Sequence, residues 1–85
     1  MTINHVARIC GNALHDLFVI QGQINYPTWD EMTTLQKSLI CESVKYHLAN
    51  PKFKPSESFT IQQKEVANLF SGIVRSLSDF VENKG

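Results

Sequence analysis

The sequence predicts an all-α fold: a compact three-helix domain, helices roughly antiparallel, joined by short connectors. Three observations predict it. Apolar residues recur every three or four positions in three separate stretches, proline- or glycine-bearing connectors divide those stretches, and no segment alternates with period two for long enough to make a strand. Eighty-five residues suffice for one domain, taken as 1–85, and leave no room for a second.

The first stretch opens at Thr2, a residue type that caps helix N-termini. It places Ile3, Val6, Ala7, Cys10, Ala13, Leu14, Leu17 and Phe18 on one stripe. Arg8, Asn12, His15 and Asp16 fall largely off that stripe. The helix is expected over about 2–21, with Gly22 available for a left-handed terminal turn and Gly11 costing it little. GQINYPT, residues 22–28, is the first connector.

The second helix has two candidate starts. Thr28 with Glu31 makes one capping box and Thr33 with Gln36 another, giving a helix over 28–50 or 33–50. Its apolar face is expected from Leu35, Leu39, Ile40, Val44 and Leu48, and Asn50-Pro51 stops it. PKFKPSES, residues 51–58, is the second connector. The third helix is expected over about 58–83, from Ser58 or Thr60, with Val66, Leu69, Phe70, Ile73, Val74, Leu77, Phe80 and Val81 at helical spacing.

Composition narrows the function classes. Eight Lys+Arg balance eight Asp+Glu, which argues against a nucleic-acid binder relying on a basic surface. No run approaches the roughly 18 apolar residues of a membrane span, and the first residues lack a signal peptide's pattern. Cys10 and Cys41 are too few for a disulfide scaffold, so a reduced, cytoplasmic setting is expected. A chain this short buries only about 60% of its unfolded surface, so a homo-oligomer is a reasonable expectation.

Catalytic and metal chemistry find little support. His5, Cys10 and His15 are each turned about 140° from the last on a helix and cannot converge on one ion. No nucleophile elbow, phosphate-cradling glycine loop or dinucleotide fingerprint occurs. Asp30-Glu31 suits a helix N-terminus without any catalytic role. No enzyme activity, cofactor or metal is expected.

The densest polar and aromatic run is KYHLANPKFK, residues 45–54. Lys45, His47, Lys52 and Lys54 suit an anion, and Tyr46 or Phe53 suits stacking on a base. A solvated helix end, whose dipole favours cations, would give much the same run. Trp29, the single tryptophan, either plugs the core with its N–H bonded or lines a binding surface.

The stretch YPTWDEMTTLQKSLICESVKYHLANP, residues 26–51, resembles ryanodine-receptor (RyR) domains, in particular short RyR-type proteins of bacteriophages and prophages. Trp29-Asp30-Glu31, Gln36-Lys37 and Val44 to Pro51 carry the likeness. Ala7 to Cys10 and Leu69 to Leu77 are similar to the opening and closing helices of those proteins. Their usual Gly-Trp-x-Tyr-Gly-Pro-type insert before the last helix is absent, and PKFKPSES stands in its place. The resemblance implies a small non-enzymatic phage accessory protein acting by binding. Its ligand would be a nucleotide-derived host immune signal, met by Arg8, Trp29, Lys45, Tyr46, His47, Lys52 and Lys54. A protein-binding inhibitor of a host enzyme, or a structural helical oligomer, is the alternative.

Overall fold

A computed structural model describes residues 1–81, and they form three helices with no strand among them. Helix α1 spans Ile3–Ile20, α2 spans Thr34–Ala49 and α3 spans Ile61–Leu77. A single 3₁₀ turn, Trp29–Glu31, precedes α2 and another, Ser78–Phe80, follows α3.

Each helix begins where a side chain can satisfy the free amides of a first turn. The Thr2 hydroxyl accepts from the His5 N–H at 3.1 Å. Thr33 and Gln36 bond reciprocally at 2.9 and 3.1 Å, as Thr60 and Gln63 do at 2.9 and 3.0 Å. Both candidate starts of the second helix are used, for different elements. Thr28–Glu31 closes the 3₁₀ turn, extended Met32 (ψ 149°) breaks the chain direction, and Thr33 then caps α2. The third helix starts at Ile61, not Ser58, and gives way to the 3₁₀ turn at Ser78; residues 82–83 of its expected span lie outside the described residues.

Helix α1 ends in a Schellman turn. The Gly22 N–H donates to the Val19 carbonyl at 3.0 Å and the Gln23 N–H to the Phe18 carbonyl at 2.8 Å. Gly22 takes φ +99°, a conformation that side chains strain to adopt.

Helices α1 and α3 run antiparallel. At one end Gln21 bonds Glu65 at 2.8 Å, and at the other the Met1 ammonium donates to the Phe80 carbonyl at 2.6 Å. Helix α2 packs on both. The shared core is apolar: Val6, Ala7, Cys10 and Leu14 of α1 meet Ile40 and Val44 of α2, Phe70 and Val74 of α3, and Trp29, Met32 and Val81 from the connecting turns.

Two expectations about faces are corrected here. Leu35 and Leu39 do not face the core; they are 69% and 59% exposed, because α2 turns Ile40 and Val44 inward. Of the third stripe, Phe70, Val74 and Val81 are buried and Val66, Leu69, Ile73 and Leu77 pack against them partly buried, but Phe80, in the turn after α3, is 64% exposed.

Cys10 is wholly buried, and desolvation pushes its thiol up to about 12. Cys41 is half-buried, its Sγ 3.9 Å from Asn4 Oδ1. In the native protein an aromatic disulfide reagent is therefore expected to titrate Cys41 first, and Cys10 only on unfolding. Equal fast reaction of both thiols would contradict that burial.

Candidate functional site

The C-terminal half of α2 gathers rings that the chain order separates. His47 lies 5.5 Å from Tyr46 and 5.1 Å from Phe53, both nearly edge-on, and 6.1 Å from Phe70 of α3. Tyr46 and Phe53 are themselves 5.6 Å apart. Edge-on geometry is the favourable one for aromatic pairs, so the three residues hold the connector against the helix end. Asn50 completes that end, its side-chain amide donating to the Tyr46 carbonyl at 2.8 Å.

Two concavities border this cluster. A hollow of about 470 Å³ lies among Tyr46, Ala49, Asn50, Pro51, Lys52 and Phe53. A groove of about 330 Å³ runs between α2 and α3 and is lined by Phe18, Ser43, His47, Phe59, Gln62, Gln63, Val66, Ala67 and Phe70. His47 lines the groove and touches the rings of the hollow.

The sequence-predicted site residues do not form one cluster. Tyr46, Lys52 and His47 meet at the end of α2, with Tyr46 50% exposed and Lys52 and Lys54 on the surface. Lys45 points to Glu42, one turn earlier, at 3.2 Å. Arg8 pairs at 3.9 Å with Asp30, both side chains more than half exposed, so the pair adds little to stability. Trp29 is 6% exposed and belongs to the core. Its backbone N–H donates to Asn12 Oδ1 at 3.0 Å, and the Lys37 ammonium stands 5.4 Å from its ring centre.

The electrostatics of His47 follow from its packing. Burial disfavours the charged imidazolium and lowers its pKa from the ordinary 6.5. Charge at this end comes from the lysines, and His47 is drawn towards its neutral form. Its Nδ1 is buried without a hydrogen-bond partner. At the other end of α2, in the turn that precedes it, hydrogen bonds from Thr28 hold the Glu31 carboxylate below its usual range, which assigns Glu31 to the turn.

Sequence reading missed Phe59 and Gly11. Phe59 immediately precedes the Thr60 cap, a position from which apolar side chains commonly pack back on their helix, and that was the available signal. Gly11 gave no local sign of its role beneath Trp29. Among the described residues no group of three or more His, Cys, Asp or Glu could hold a metal ion, and no helix is long and apolar enough to cross a membrane. Comparison with known proteins finds no family model, curated protein or solved structure that matches the chain.

Proposed function

We propose that the chain is a small non-enzymatic binding protein of phage type that takes up a nucleotide-derived signal in the host cytoplasm. The observation that carries this reading is the hollow at the end of α2, where the Tyr46 and Phe53 rings and Lys52 border one concave surface. A nucleotide brings a flat base and a phosphate, and this hollow offers aromatic faces and a cation together. Lys54 lies nearby in sequence to add charge, and Lys45 does so once released from Glu42. The α2 dipole opposes an anion at its C-terminal end, so the lysines must supply the excess attraction. The RyR-like residues Val44 to Pro51 coincide with this end of the helix.

Calorimetry with a panel of cyclic and linear nucleotides tests the proposal. Binding heat is expected, and Lys45→Glu with Lys52→Glu should weaken it at least about tenfold while leaving helicity unchanged, since each contact is charge-assisted. Silence across the panel overturns the ligand reading. Binding that survives the reversal overturns the placement of the site.

A second reading has its own observation. Leu35 and Leu39 lie one turn apart on α2 and are both exposed, as an inhibitor or adaptor that docks on a host protein would require. Retention of a host protein by the native chain, lost in a Leu35→Ser, Leu39→Ser variant, would favour it. A homo-oligomer built through the same leucines would instead show as a change of mass in solution.

A further inference from the structure

We propose that the outer face of α2 is a homodimer interface, on which the α2 of a second copy of this chain lies antiparallel. The inference does not rest on the nucleotide reading, and it commits the exposed leucines of α2 to one partner.

Helix α2 is apolar on two opposite sides. Ile40 and Val44 face the core, while Leu35, Leu39 and Tyr46 are exposed large apolar residues. Leu35, Leu39, Glu42, Tyr46 and Ala49 follow one another at spacings of four, three, four and three residues. That spacing is the seam of a two-helix coiled coil, and all five residues are exposed. At 3.6 residues per turn they fall within a stripe about 80° wide, opposite Ile40 and Val44.

The charges on that face name the occupant. Glu42 lies in the seam and Lys45 on its flank one turn further on, with 3.2 Å between them. Both side chains are more than half exposed, so this pair exchanges at little cost. Lys37, the other lysine of α2, stands over the Trp29 ring and takes no part. In a parallel two-fold pair of helices Glu42 would oppose Glu42 and Lys45 would oppose Lys45. Turned antiparallel, with the two-fold axis level with the Ser43–Val44 peptide, each Glu42 stands at the height of the partner subunit's Lys45. Leu39 then seats between Tyr46 and Ala49 of the partner subunit, and Leu35 closes the seam at the far end. The face is thus complementary to itself in charge and in apolar register, as an isologous interface requires. A partner of another kind would have to bring an acid and a base in the reversed order. Two helices of 16 residues make a small interface, so the dimer is weak and depends on concentration.

Sedimentation velocity of the full chain at low ionic strength, from about 5 μM to 1 mM, tests the interface. The mass is expected to rise from one chain towards two. Leu39→Ser should raise the dissociation constant at least about tenfold, because the two-fold axis removes two leucines at once. Its far-UV circular dichroism should not change, since Leu39 lies outside the core. Glu42→Lys and Lys45→Glu should each weaken the dimer about three- to tenfold, as each sets like charges in both pairs. Both substitutions in one chain should restore the parental affinity. An isotope-filtered NOE is expected between the Leu39 methyls of one copy and the Tyr46 ring of the other. Within one chain seven residues of helix hold the two about 10 Å apart. A single-chain mass up to about 1 mM overturns the interface and leaves the leucines to the host-protein reading. Dimers that tolerate Leu39→Ser overturn its placement on α2. Single charge reversals without effect, or a doubly substituted chain that stays weak, overturn the antiparallel register.

Discussion

Trp29→Ala is expected to lower the stability of the fold by about 3–5 kcal/mol, the range for truncating a buried large aromatic. Trp29 is 6% exposed and its side chain lies against α1 at Gly11, where a Cβ placed on that glycine would come to 2.7 Å from Trp29 Cε3. Its backbone is tied to the same helix through Asn12 Oδ1 at 3.0 Å. Trp29 therefore fastens the first connector to α1 and closes one end of the core. Gly11→Ala tests the same contact from the other side. Alanine would ordinarily gain about 1 kcal/mol in a helix interior. Here the opposing atom is a ring carbon in a packed core and has no room to retreat, so overpacking of about 1–3 kcal/mol wins. The sign should reverse when the ring is gone, with Gly11→Ala stabilising the Trp29→Ala protein by up to about 1 kcal/mol. Chemical denaturation of the four proteins in this cycle measures it. A Gly11→Ala protein more stable than its parent, with Trp29 intact, would refute the contact.

The same glycine shows where sequence reading stops. The helix starts were legible because Thr2, Thr33 with Gln36, and Thr60 with Gln63 are local devices, complete within four residues. Gly22 was legible for a similar reason, since a glycine after an apolar stripe marks a Schellman turn. Gly11 was not, because its requirement comes from a residue in another element. Helix α2 failed in a different way. Leu35 and Leu39 have the same spacing as Ile40 and Val44, and the two pairs point roughly 140° apart on the helix, so periodicity alone offers two faces. Contact with α1 and α3 chooses Ile40 and Val44. The candidate site was legible as a run, Lys45 to Lys54, but not as a place. Its composition does not reveal that Glu42 takes Lys45 or that His47 packs near Phe70 of a helix still to come, whereas the core position of Trp29 is one of the two places the sequence offered it.

Phe70→Ala is expected to cost a comparable amount, about 3–5 kcal/mol, and to change how stability depends on pH. Phe70 is 5% exposed and sits where α3 meets α2, its ring 6.1 Å from that of His47. Leu69→Ala and Ile73→Ala, at partly buried positions on the same helix, should each cost less. The pH effect follows from the histidine. Burial lowers the pKa of His47 in the folded protein below the ordinary 6.5, so the unfolded chain binds more protons across that interval. The contribution of neutral His47 is complete above 6.5 and is lost as pH falls from there through the lowered value. Removing the Phe70 ring opens the imidazole to water, returns its pKa towards 6.5 and flattens that slope. Phe70→Leu keeps most of the apolar cover and should preserve it. Denaturation midpoints between pH 7.5 and 5 for the parent, Phe70→Ala and Phe70→Leu separate the two effects. His47→Phe in the parent supplies the control, because the part of the acid sensitivity that belongs to His47 must vanish with it. If Phe70→Ala loses stability but keeps the full acid slope, the phenylalanine packs the core without shielding the histidine. If it loses neither, the α2–α3 junction does not rest on Phe70.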